Sequence, residues 1–144
     1  MTRPRAGVGL RATARLADVV LVMVPAWLLL APLLLVVLPD ARTTTLVTTL
    51  VAWAVVVGYE TWFTTTTGQT IGKRALGLRV VLAGTDEVPP TGPALTRAAM
   101  PPLFGVATFG LGWVVPYLWA LLDPDRRGLH DKFAGTEVVR VLED

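Results

Sequence analysis

The chain has no cysteine and a single histidine, His130. Disulfides, thiolate metal centres and cysteine nucleophiles are thereby excluded. A zinc site is not expected either, because zinc takes three or four protein ligands. Serine is also missing, so no Ser/His/Asp triad can be assembled. Charge is scarce: Asp, Glu, Lys and Arg make up 17% of the 144 residues, against 53% hydrophobic residues and a mean hydropathy of +0.57. A soluble domain has about a quarter of its residues charged. There is too little charge here to coat a water-facing surface around so much apolar mass. The net charge of +2 does not furnish the dense basic face that nucleic-acid binding needs. The expectation is an integral membrane protein that is not an enzyme and carries no cofactor or metal.

Three hydrophobic runs organise the chain: 19–38, 46–63 and 98–122. About 20 helical residues at about 1.5 Å each cross a hydrocarbon core of about 30 Å. The first run holds Pro25 and Pro32, which membrane helices tolerate when neighbours satisfy the freed carbonyls. It is too long for the core of a cleavable signal, and no small-x-small site follows it. The second run holds Trp53 and ends in Tyr59, Trp62 and Phe63, as an interfacial aromatic belt would. In the third, Pro101 and Pro102 open the run and Gly105, Gly110 and Gly112 punctuate it. The expected fold class is an all-α membrane protein: one domain, three membrane segments, a cytoplasmic connection over 64–97 with short helix and strand blocks, and a tail over 123–144.

Arg3, Arg5, Arg11 and Arg15 precede the first run, and Lys73, Arg74, Arg79 and Arg97 lie in the second connection. By the positive-inside bias both are cytoplasmic. The tail holds Arg126, Arg127, Lys132 and Arg140 and reads as cytoplasmic too, which a simple third span contradicts. The favoured resolution is a re-entrant hairpin over Ala94 to Leu122, hinged at the glycines. The alternative is a full span with the tail outside. Non-helical backbone at depth must be covered by protein or line a wet cavity, so the hairpin implies an oligomer or a cavity. Besides the lipid bilayer, the expected partners are further copies of the chain or other membrane proteins.

The stretch from Gly72 to Val81 echoes the stretch from His130 to Val139. Each reads as one helical turn, a glycine, then a β-branched run, with chance similarity as the competing reading. If the echo is real, Gly77 and Gly135 end short helices and the following runs pair as strands, which requires them to lie on one side of the membrane. Lys73 stands against Asp131 and Arg79 against Glu137 at matched places. As exposed pairs they would set register more than stability.

Arg11, Ala14 and Asp18 share one helical face, and Arg15 is within reach of Asp18. A carboxylate at the start of a span is costly unless paired, so Asp18 is expected to meet a cation, either as an anchoring ion pair or as a site for a proton or cation. Glu60 lies inside the second run. The favoured reading has it snorkel to the interface; the other has it contact Arg11 or Arg15. Asp123, Asp125, His130 and Asp131 read as a solvated loop rather than metal ligands. The Gly68–Lys73 stretch has the wrong spacing for a phosphate loop.

These blocks resemble the RDD family of bacterial membrane proteins. Arg11-x-x-Ala14-x-x-x-Asp18 is similar to its first-helix motif. The stretch from Gly68 to Val81, with Thr70, Gly72, Lys73, Gly77 and Arg79, is similar to its second block. The stretch from Asp131 to Val139, with Gly135 and Thr136, is similar to its third. The resemblance implies that Arg11, Asp18 and Asp131 are the signature residues, with Asp123 or Asp125 as alternatives to Asp131. It also implies a bacterial inner-membrane protein; the cytoplasmic N-terminus rests on the positive-inside bias alone. Transport of an unidentified ligand and sodium/proton exchange are the activities associated with the family. The competing expectation is a non-transporting module that anchors or assembles with other membrane proteins, for which threonines and glycines at close helix contacts are suited.

Overall fold

A computed structural model describes residues 4–38, 40–108 and 115–141. It is mostly helical. Helix α1 spans Val8–Val37 and runs through Pro25 and Pro32. Helix α2 spans Ala41–Thr66. Asp40 caps α2: its carboxylate accepts the Thr43 amide at 2.8 Å, satisfying an N-terminal donor the helix leaves open. Both helices are long and apolar enough to cross a membrane. The most apolar stretch of α1 is not buried at all, and Leu28, Leu29, Leu33 and Val36 point away from the protein. Such a surface is expensive in water and suited to lipid. This marks the chain as a membrane protein.

The buried face of α2 is Thr44, Thr48, Ala52, Val56, Glu60 and Thr64, a strict four-residue spacing of mostly small side chains. Residues at that spacing line one face, and small ones let helices approach closely. Accordingly α2 packs against α1 and against α4, Thr91–Ala107. Thr48, Thr61 and Thr64 have buried hydroxyls without hydrogen-bond partners among the described residues.

The third run forms two helices, α4 and α5, the latter Val115–Leu122. Helix α4 begins at Thr91, ahead of the expected start of the run, and continues through Pro101 and Pro102 instead of opening there. Of the glycines expected to hinge the run, Gly105 sits within α4, and Gly110 and Gly112 lie outside the described residues.

The polar end is built from the echoed blocks. The first is helix α3, Ile71–Ala75, then strand β1, Leu78–Leu82. The second is helix α6, Leu129–Ala134, then strand β2, Thr136–Arg140. In each a glycine with positive φ separates helix from strand, Gly77 at 61° and Gly135 at 64°, the left-handed region that favours glycine. The strands pair antiparallel with Val80 opposite Val138 at the centre. Two flanking bonds repeat the relation: Val141 N–H donates to Gly77 C=O at 2.8 Å, and Ala83 N–H donates to Gly135 C=O at 3.0 Å. The blocks are thus related by an approximate twofold axis through the strand pair.

The other edge of β2 takes the N-terminal segment. Arg5 bridges Val139, Ala6 N–H donates to Val138 C=O, and Arg140 N–H donates to Pro4 C=O, both at 3.0 Å. A small apolar core of Ala6, Ala14, Leu78, Val80 and Val138 lies beneath. The start of α1, the connection after α2 and the tail through Val141 therefore meet at one end of the molecule.

Candidate functional site: a buried charge cluster

Where α1 and α2 reach this end, six charged side chains cluster, four of them (Glu60, Lys73, Arg97 and Asp131) buried and two (Arg11 and Arg15) partly buried. Glu60, near the end of the small-residue stripe of α2, is 4% exposed. It contacts the Arg15 guanidinium, Lys73 Nζ at 3.3 Å and Arg97 Nε at 3.7 Å. Asp131 is 1% exposed. It contacts the Arg97 guanidinium and Arg11 Nη1 at 3.3 Å, and it accepts from Gly128 N–H at 3.1 Å and Thr136 Oγ1 at 3.3 Å. Arg11 also donates to Val138 C=O at 3.0 Å and Arg126 C=O at 2.7 Å. The charges alternate along a chain: Lys73 and Arg15, Glu60, Arg97, Asp131, Arg11. It joins α1, α2, α3, α4 and α6, and buried charges require such pairing.

Asp18 stands beside the cluster and is held differently. Its carboxylate accepts Thr70 Oγ1 at 2.5 Å, Gly72 N–H at 2.8 Å and Tyr59 Oη at 2.9 Å. Tyr59 Oη in turn accepts Ile71 N–H at 2.9 Å. Asp18 thus meets hydroxyls and a backbone amide, not the cation expected of it, because α3 delivers its first-turn donors directly onto α1. That approach requires Gly72: a Cβ there would sit 2.4 Å from Ala14 O. Gly68, with φ 72°, is similarly committed, since a Cβ would lie 2.7 Å from Val80 O.

Other sequence expectations are corrected. Glu60 does not snorkel; it pairs inward with Arg15, as the other reading had it. Lys73 and Asp131 are buried and act through Glu60 and Arg97, not as an exposed pair. Glu137 pairs with Arg5 at 3.0 Å, and its cross-strand neighbour is Val81, not Arg79. His130 and Asp131 do not lie on a solvated loop: both are buried in α6. Asp125 pairs with Arg5 and Arg127 nearer the surface, and Asp123 with Lys132 at 2.5 Å. The Lys132 ammonium holds Asp123 below the usual carboxylate range.

The sequence reading gave no role at this site to Arg97, Tyr59 and His130. Arg97 was seen only as a positive loop charge. The signal that could have found the cluster is the four-residue stripe of α2, which runs through Glu60 and so demands a cation beside it. His130 packs on Tyr117 with ring centroids 4.8 Å apart. Burial, reinforced by the Arg97 guanidinium, pushes its imidazole well below its ordinary value and keeps it neutral. Burial pulls Lys73 down to about 8, against the opposing pull of Glu60. Among the described residues no group of three or more His, Asp and Glu side chains is placed to hold a metal ion.

A cavity of about 40 Å³ lies in the cluster, lined by Arg11, Arg15, Glu60, Lys73, Arg97 and Asp131, with Tyr117, His130 and apolar residues completing the wall. A single water needs about 10–15 Å³ of such space, so the cavity takes about three water-sized bodies.

Two apolar helices carrying a polar end built from paired helix–strand blocks and a buried charge cluster define a membrane protein of a distinct kind. The chain belongs to the RDD family, whose model matches residues 5–135. It is 36% identical over 90 residues to an uncharacterized protein of Haemophilus influenzae, an alignment covering 62% of this chain and 56% of that protein. The chain therefore spans a little over half the length of that relative. No solved structure matches.

Proposed function

We propose that this RDD protein is a multi-pass unit of the bacterial inner membrane that moves a small ligand or ion, and that the buried charge cluster is the part that handles it. The observation that carries this reading is the cavity among Glu60, Arg97 and Asp131 at the end of the candidate spans, because buried ionisable groups bordering membrane spans tend to mark ligand paths. The N-terminus is cytoplasmic in this reading, as the basic residues ahead of α1 require. The tail shares that side because β2 pairs with β1, which favours a third run that turns back through α4 and α5. Asp18 is a poor exchange group, since three donors already hold it; Glu60 and Asp131 border the cavity and are the better candidates. Two candidate spans are few to enclose a passage, so a homo-oligomer completes the path in this reading.

Flux into proteoliposomes tests the reading. Purified protein should move H⁺, Na⁺ or chloride above the rate of empty vesicles, and Glu60→Gln should abolish the movement. Wild-type protein that moves none of the three ends the transport reading.

The exposed apolar face of α1 favours a second reading, a non-transporting module that assembles with other membrane proteins. Under it, crosslinking in native membranes captures a second membrane protein along Leu28, Leu29 and Leu33. Capture of the same chain alone counts against it.

A further inference from the structure

The charges lining the cavity do not balance. Four cations, Arg11, Arg15, Lys73 and Arg97, face two carboxylates, Glu60 and Asp131, and His130 is neutral. Asp18 lies beyond Gly72, and Glu137, which also acts on Arg11, is taken up by Arg5 at 3.0 Å; counting Asp18, and Glu137 together with Arg5, still leaves one positive charge in excess. Uncompensated charge out of water is costly, so the site as built has a use for a negative one.

The hydrogen bonds carry the same message independently. Among the described residues, three nitrogens on the lining residues are buried without a hydrogen-bond partner: Arg11 Nε, Arg97 Nε and His130 Nδ1. Arg97 Nε has only the long 3.7 Å approach to Glu60. Guanidinium nitrogens can only donate, and the neutral His130 joins them as a donor in the tautomer that carries its proton on Nδ1; His130 is 5% exposed, so this nitrogen has no ready access to bulk water. Buried polar groups are normally satisfied, and an unsatisfied set calls for a missing partner. An acceptor carrying negative charge satisfies both the charge excess and the donors.

Size narrows the class. A space for about three water-sized bodies suits a small ion better than a nucleotide or a phosphorylated metabolite. The remaining wall, with Val8, Ala12, Leu78, Ala120 and Val138, is apolar and favours a weakly hydrated ion.

We infer that this cavity binds a small monovalent inorganic anion, chloride- or nitrate-sized, between Arg11, Arg97 and His130. The inference rests on the reading of the cluster as the ligand-handling part and names the class of ligand. It also turns the expectation for the site from a cation to an anion, since a cation would enter against the excess positive charge.

The test is thermal unfolding of the purified full chain in detergent, followed by tryptophan fluorescence. Sodium chloride and sodium nitrate are titrated against sodium gluconate at equal ionic strength. Tm should rise to a plateau in chloride and nitrate and stay flat in gluconate, whose anion is too large. Removing one cation with Lys73→Met should move the chloride midpoint upward by about tenfold. Superimposable curves in chloride and gluconate, or a rise with no plateau, overturn the inference. The wild-type titration decides the matter even if the variant does not fold. A chloride plateau without flux keeps this inference and ends the transport reading. Flux of Na⁺ or H⁺ that is unchanged when gluconate replaces chloride, together with flat binding curves, does the reverse.

Discussion

The two helix–strand blocks share a backbone and differ in what they carry. Gly77 and Gly135 turn the chain at the same place, and Val80 and Val138 meet on the axis between them. Lys73 of the first block corresponds to Asp131 of the second, and Gly72 to His130. The matched positions face the same interior, so opposite charges arrive at the two ends of one contact, Glu60 with Arg97. The backbone symmetry supplies position, and the broken side-chain symmetry supplies a chain of alternating charge. A symmetric pair, two lysines or two aspartates, would leave one end of that contact facing its own sign.

The largest expected effect comes from removing the charge on one side only. Asp131→Asn leaves Arg97 and Arg11 without their shared carboxylate and should destabilise the fold by about 3–5 kcal/mol, the usual cost of breaking a buried pair from one side. Lys73→Met removes the corresponding charge from the first block. Glu60 keeps Arg15 and Arg97, and the desolvation cost of a buried ammonium disappears, so the loss should stay within about 1 kcal/mol. Thermal or denaturant unfolding in detergent at pH 7 checks both. Equal losses would mean that the two blocks carry equal electrostatic weight.

The second contrast is steric. Gly72→Ala pushes a Cβ to 2.4 Å from the Ala14 carbonyl, and backbone cannot swing aside as a side chain can. A loss of about 1–3 kcal/mol is expected from overpacking, with the Asp18 bonds to Thr70 and Gly72 disturbed. The equivalent place in the second block holds His130, because there α6 lies against Tyr117 instead of pressing on α1. Shared features should respond alike. Gly77→Ala and Gly135→Ala each force a left-handed residue to carry a Cβ in uncrowded space and should each cost about 1 kcal/mol. A clear difference between them would show the blocks to be less alike than their backbones.

Much of this fold was legible in the sequence because its signals are local. The apolar runs marked α1 and α2. The echo between the stretches from Gly72 and from His130 foretold two turns, two glycines and a strand pair, and the RDD resemblance fell on the matching residues. The charge cluster was legible only in part. Glu60 and Arg15 could be linked by their shared membrane depth, but Arg97 reaches them from α4, whose start at Thr91 was hidden by reading Pro101 and Pro102 as a helix boundary. The tolerance of α4 for those prolines depends on the helices packed around it, which no local pattern encodes. His130 was misread for a related reason: polar composition suggested a loop, and only the fold of α6 under α5 buries it. Asp18 shows the limit of charge-pairing logic, since a carboxylate can be satisfied by neutral donors when a helix start is brought to it.

A third contrast distinguishes the blocks by pH. His130 stays neutral in the folded protein, its imidazole held well below 6.5 by burial and by Arg97, while the unfolded chain takes up the proton normally. Between pH 7 and pH 6 the unfolded state therefore binds more protons, and stability falls as pH falls, by about 0.7 kcal/mol over that unit. Lys73 works on the other side. Its folded value near 8 lies below the ordinary 10.5, so the unfolded state again holds the extra proton and stability rises as pH climbs from 8 toward 10.5. Unfolding curves across pH 6–10 should show both slopes. His130→Gln should flatten the acid slope and leave the alkaline one, and Lys73→Met the reverse. If either variant flattened both, the two positions would be titrating as one coupled unit, and the division of labour between the blocks would have to be abandoned.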